Sequence, residues 1–104
     1  MTVLDALDAD YTPSPQDLKV VYCPVDPLVG LPMYGTRAVF TRLEASLDLR
    51  AGNYPEGMVL QSEGRYWKVA GRGHVMLACD RYGRPTGRRV METSGRTLRE
   101  VELG

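Results

Sequence analysis

The chain reads as a mainly β protein: a small single-domain β-barrel or sandwich, with a short N-terminal helix and a candidate C-terminal hairpin. Three observations predict it. Apolar and polar residues alternate with a period of two through several short runs between Leu18 and Cys79. Turn-forming groups punctuate those runs, at Asn53 to Pro55, at Glu63 and Gly64, and at Gly71 to Gly73. The length, 104 residues, is that of one domain. A chain of this size buries roughly 60–70% of the surface it exposes when unfolded. That suffices for one core, but not for a core plus a deep cleft between domains.

Residues 1–17 form an N-terminal arm. Thr2 to Asp5 is similar to a capping box, with Thr2 as N-cap and Asp5 in place of the usual Glu, and Val3, Leu4 and Leu7 share one helical face. The helix ends near Ala9 and is too short to persist undocked. Thr12 to Gln16 holds two prolines and reads as an extended linker.

The β core is expected over residues 18–80. Its first strand, Leu18 to Cys23, is closed by Pro24, which cannot donate to a ladder. A loop over 24–35 follows, rich in Pro and Gly yet carrying Val25, Leu28, Val29, Leu31 and Met33. Loops lie on the surface, so an apolar one either folds back as a lid or waits for a partner. Thr36 to Leu43 reads as a second strand. Glu44 to Leu49 continues the alternation, with Ala45, Leu47 and Leu49 inward. Met58 to Gln61 and Tyr66 to Ala70 make a hairpin closed at Glu63 and Gly64, where glycine supplies a positive φ. Trp67 and Val69 share one face and Tyr66 and Lys68 the other, while Val75, Leu77 and Cys79 line the inner side of the next strand.

Residues 81–104 form a basic extension. Tyr82 to Gly87 is a loop, and Arg88 to Thr93 pairs with Thr97 to Leu103 around Ser94 and Gly95 as a terminal hairpin.

Charge is balanced overall, 13 Lys and Arg against 13 Asp and Glu, which argues against a dedicated nucleic-acid binder. Locally it is polarised. Asp5, Asp8, Asp10 and Asp17 face no basic residue within the first 17, whereas Arg81, Arg84, Arg88, Arg89, Arg96 and Arg99 outnumber Asp80, Glu92, Glu100 and Glu102. In a ring of copies, one subunit's basic edge would meet its neighbour's acidic arm.

No catalytic, cofactor or metal residues are assigned. Cys23, Cys79 and His74 are too few for a zinc site, and no leader pattern argues for an oxidising compartment, so both cysteines are expected as buried free thiols. Gly71 to Gly73 is half of a phosphate loop without the following helix, and reads as a bend between strands. His74 reads as an edge residue and Cys79 as inert core. The arginines of 81–99 serve DNA phosphates, an acidic protein surface or simply solvent. Tyr66 and Trp67 beside Arg65 and Lys68 read as a stacking platform of OB type or as ordinary packing. No run approaches the ~18–20 apolar residues of a membrane span.

The order of several pieces is familiar. A strand ending in Pro24 to Pro27 precedes a long loop, Leu47 and Leu49 run into Arg50 to Gly52, and Glu56, Gly57 and Leu60 precede Glu63 to Val69. Together these resemble the small head–tail joining proteins of tailed bacteriophages, the lambda-type attachment and stopper proteins, most clearly over residues 36–80. The resemblance implies a non-enzymatic virion protein of the neck, present in the host cytoplasm during assembly. It implies a hexamer or dodecamer ring between the portal with its adaptor and the tail terminator or tail tube, contacting packaged DNA and helping to close its channel. It places partner contacts in the arm, the long loop and the C-terminal part. Leu28, Val29, Leu31 and Met33 would then serve loop contacts, and Arg81, Arg84, Arg88 and Arg89 polar or DNA-facing ones. The long arginine-bearing extension departs from the family pattern. The alternatives are an OB- or SH3-like module that binds nucleic acid or peptide, and a tail terminator or completion protein.

Overall fold

The computed structural model describes residues 14–24, 39–70 and 74–102. The expected N-terminal helix, most of the apolar loop and the bend at 71–73 lie outside these residues. The rest is mainly β, as expected: one antiparallel sheet of seven strands and one helix, α1, Arg42–Ala51. The strands are β1 Leu18–Tyr22, β2 Val39–Phe40, β3 Val59–Ser62, β4 Arg65–Ala70, β5 Val75–Cys79, β6 Pro85–Ser94 and β7 Thr97–Glu102. Their order is β2-β1-β3-β4-β5-β6-β7, so β3 to β7 form a meander and β2 and β7 are the edges. The sheet does not close into a barrel. It curls around α1, which packs against β6 and β7 at one edge and touches β2 at the other.

The helix corrects one expectation. Glu44 to Leu49 is not a strand, and the strand expected over Thr36 to Leu43 is described only at Val39 and Phe40. Alternation in this stretch satisfies both periods, and the ends decide. Thr41 accepts from the Glu44 N–H at 3.1 Å, while the Glu44 carboxylate accepts from the Thr41 N–H at 3.3 Å, a complete capping box. Gly52 closes the helix in the left-handed region, at φ 73°, with its N–H on the carbonyls of Asp48 and Leu49. Between the caps lie Leu, Ala, Glu and Arg, strong helix formers with no β-branched residue. Ala45, Ser46 and Leu49 are therefore the buried set, and Leu47, expected inward, is 50% exposed.

Three side chains at helical spacing fasten α1 to the last hairpin. Arg42 donates to the Leu98 carbonyl at 3.3 Å, Ser46 to the Thr97 carbonyl at 3.1 Å, and Arg50 to the Gly95 carbonyl. Ser46 is fully buried, and its hydrogen bond offsets the cost of taking a hydroxyl out of water.

The β3–β4 hairpin forms where expected. Glu63 and Gly64 both have positive φ, 56° and 76°, which matches the right-handed twist of the flanking strands. Trp67 and Val69 point into the core together with Leu18, Phe40, Leu49, Met58, Leu60, Met76, Met91 and Leu98. On β5 the expected phase is corrected. Met76 is fully buried while Val75 and Leu77 are only half-buried, because Val69 pairs with Met76 and paired residues share a face. Met76 and Cys79 stand an odd number of positions apart, and Cys79 is buried with Tyr66 as its partner, away from the main cluster.

Residues beyond Asp80 continue the same sheet. Met91 and Leu98 join the core cluster, and β6 pairs with β7 from Arg89 opposite Glu102 to Ser94 opposite Thr97. The turn falls at Gly95 and Arg96, one residue later than the sequence suggests.

Candidate interaction surface

The connection between β5 and β6 is built around one carboxylate. Asp80 accepts from the Tyr82 N–H at 2.8 Å and the Arg84 N–H at 2.9 Å, and its own N–H reaches the Arg84 carbonyl at 2.8 Å. The Arg84 N–H, then the Tyr82 N–H, hold the Asp80 carboxyl below its ordinary pKa. Gly83, at φ 83°, lies against Val59 and Lys68, where a Cβ would stand 3.5 Å from the Val59 side chain. The turn thus presses onto the sheet and turns Arg81 and Tyr82 outward, with the Arg81 guanidinium 5.7 Å from the Tyr82 ring centroid.

Beyond the turn the β5–β6 ladder loses register. Leu77 pairs with Val90 and Cys79 with Pro85, so two steps on β5 face five on β6. The extra residues form a bulge on the longer strand. Among the described residues Thr86, Gly87 and Arg88 have no opposite number on β5 or β7. Beside them opens a cavity of about 630 Å³, walled by the bulge and Arg89, by Gly64 to Trp67, by Ala78 and Cys79, and by Glu102.

Arg65 organises the rim. By alternation it shares the core face with Trp67, and its guanidinium lies 5.5 Å from the Trp67 ring centroid. It binds Glu100 through both oxygens, Arg89 approaches the same carboxylate at 3.4 Å, and Glu63 lies 3.5 Å away. Hydrogen bonding from Arg65 holds Glu100 below its ordinary pKa, against a smaller opposing effect of burial. Arg81, Arg84 and Arg88 make no ion pair among the described residues.

Of the expected contact residues, Arg81, Arg84, Arg88 and Arg89 are all exposed, within one short stretch of connection and bulge. Leu28, Val29, Leu31 and Met33 lie outside the described residues. Sequence reasoning missed the role of Arg65, because its main partner, Glu100, sits 35 positions away on another strand. It also missed Leu43 and Leu47, 44% and 50% exposed and one helical turn apart on the outer side of α1.

The remaining candidates offer little chemistry. Burial is the main influence raising the Cys79 thiol pKa, with Asp80 adding to it, which keeps the group protonated and poorly nucleophilic. Cys23 and Cys79 are both free. Among the described residues no group of three His, Cys, Asp or Glu side chains is placed to hold a metal, and no helix is long and apolar enough to cross a membrane. Trp67 is 1% exposed, so no base can stack on it in this conformation.

The chain matches no protein-family model, and no curated protein or solved structure matches it at a significant level.

Proposed function

We propose that the chain is a non-enzymatic structural protein of a tailed-phage neck, a connector of the stopper or attachment type. It forms a ring between the portal with its adaptor and the tail, and helps to close the DNA channel. The observation that carries this reading is the run of exposed arginines from Arg81 to Arg89 on a braced turn and bulge, three of them without an ion pair among the described residues. Charge left unneutralised on a rigid element suits a surface that other chains or DNA phosphates cover. The exposed Leu43 and Leu47 add apolar area at roughly 25 cal/mol per Å² removed from water on contact. The stretch with Leu47 and Leu49, part of the family resemblance, is helical and departs from the strand expected there.

The test mixes purified protein with portal–adaptor complex and follows it by light scattering and electron microscopy. Decoration of the complex as a ring supports the reading, and a chain that stays monomeric and never binds removes it. Replacing Arg81, Arg84 and Arg88 by Gln together should abolish decoration without lowering thermal stability. An OB- or SH3-like module draws on the same arginines but loses its stacking platform with Trp67 buried. Saturable oligonucleotide binding that falls steeply with salt, without decoration of the portal–adaptor complex, would favour it instead.

A further inference from the structure

We infer that the cavity at the β6 bulge is a receptor for an acidic, extended peptide segment, and that its occupant is residues 1–13 of a second copy of this chain. The inference rests on the ring reading above and names the contact that links neighbours.

Two independent features converge on the cavity. One is main-chain: among the described residues Thr86, Gly87 and Arg88 have no partner on either flanking strand, and such a stretch offers backbone donors and acceptors to an incoming extended segment. The other is charge: Arg65, Arg88 and Arg89 line the cavity against one lining carboxylate, Glu102; Glu100 occupies Arg65 and Arg89, and among the described residues nothing occupies Arg88. A carboxylate next to Arg88 forms the charge-assisted bond this guanidinium lacks.

The chain itself supplies that chemistry. Residues 1–13 carry Asp5, Asp8 and Asp10 and no Lys or Arg. They lead into Ser14, close to the β3–β4 turn, where the Glu63 N–H donates to the Pro15 carbonyl at 3.2 Å and Ser62 to the Gln16 carbonyl at 3.2 Å. Gly64 of that turn lines the cavity. The acidic segment therefore joins the described chain, at Ser14, near the basic receptor of the same copy. Thirteen residues extend to at most about 45 Å, a reach longer than the two shorter extents of the molecule, 29 and 23 Å.

Trp67 is the only tryptophan and forms part of the cavity wall, so its single indole N–H resonance reports on occupancy. The experiment titrates a synthetic peptide of residues 1–13 into the full chain carrying D5N, D8N and D10N, which disables the resident segments. The expected result is a saturable shift of the indole resonance that weakens as salt rises. Arg88→Glu should weaken it by about tenfold or more, with unchanged thermal stability. No shift at millimolar peptide, or an equal shift with the peptide's three Asp replaced by Asn, overturns the proposal. A larger shift with single-stranded oligonucleotide than with peptide assigns the cavity to nucleic acid and also overturns it. In the unaltered chain the resonance should move with protein concentration; a position independent of concentration assigns the segment to its own chain and removes the second copy. Peptide binding by a protein that never decorates the portal–adaptor complex keeps this site and rejects the neck reading. Decoration without peptide binding does the reverse.

Discussion

The Arg65 guanidinium on β4 holds both carboxylate oxygens of Glu100 on β7, at 2.7 and 2.8 Å, across two intervening strands. In a flat sheet β4 and β7 would stand three spacings apart, roughly 14 Å. A curled sheet shortens that span, and the Arg65 guanidinium lies 5.5 Å from the Trp67 ring centroid. Curvature set by the buried residues and the rim's charge geometry are one structural fact.

Both side chains of the pair are partly solvated, so its contribution is modest. A double-mutant cycle over Arg65→Ala and Glu100→Ala should give a coupling of about 0.5–1 kcal/mol by chemical denaturation. High salt should reduce it, since exposed charges are screened.

The same pair predicts a pH dependence with a definite sign. Glu100 has a lower pKa folded than unfolded, chiefly through its hydrogen bond from Arg65, so the unfolded chain binds more protons between the two values. The pair's contribution is complete above the unfolded value of about 4.3 and is lost as pH falls through the folded one. Glu100→Gln should flatten the stability profile in that acid window and leave its neutral slope unchanged.

The helix cap offers a clean local test. Thr41→Ala removes the oxygen that accepts from the Glu44 N–H. The expected loss is about 1 kcal/mol, read as a fall in melting temperature of about 4–8 °C. Helical circular dichroism should diminish together with the sheet signal, because α1 is bonded to the β6–β7 turn and to β7.

The hairpin turn separates backbone strain from packing. A Cβ at Gly64 would meet nothing within 4 Å, yet its φ is 76°. Gly64→Ala should cost about 1–2 kcal/mol from conformation alone. Glu63 sits at φ 56° and its exposed 3.5 Å ion pair with Arg65 is worth little, so Glu63→Asn should stabilise by up to about 1 kcal/mol.

Much of the sheet was legible in the sequence, and the failures share a cause. The β3–β4 hairpin was readable because Gly64 and the alternation of Trp67 and Val69 act locally and agree. The stretch from Arg42 to Ala51 was misread because Ala45 and Leu49 are inward under either period, so only Thr41, Glu44 and Gly52 carry the deciding signal. On β5 Val75, Met76 and Leu77 are all apolar, and pairing with Val69 rather than pattern selects Met76. The exposed arginines were visible as a composition run, but the bulge that gathers them with Arg65 depends on long-range register and leaves no local mark. Met76→Ala should accordingly cost about 2–5 kcal/mol, while Leu77→Ala, half-buried, should cost less than about 1.5 kcal/mol.

The most direct test of a ring-forming neck protein is a count of copies. Native mass spectrometry of the portal–adaptor complex incubated with excess protein should show added mass equal to a whole ring, six or twelve chains of 11.6 kDa, with no partly filled species dominating. A spectrum in which the complex gains nothing and the protein remains a free 11.6 kDa chain at every concentration would contradict the account.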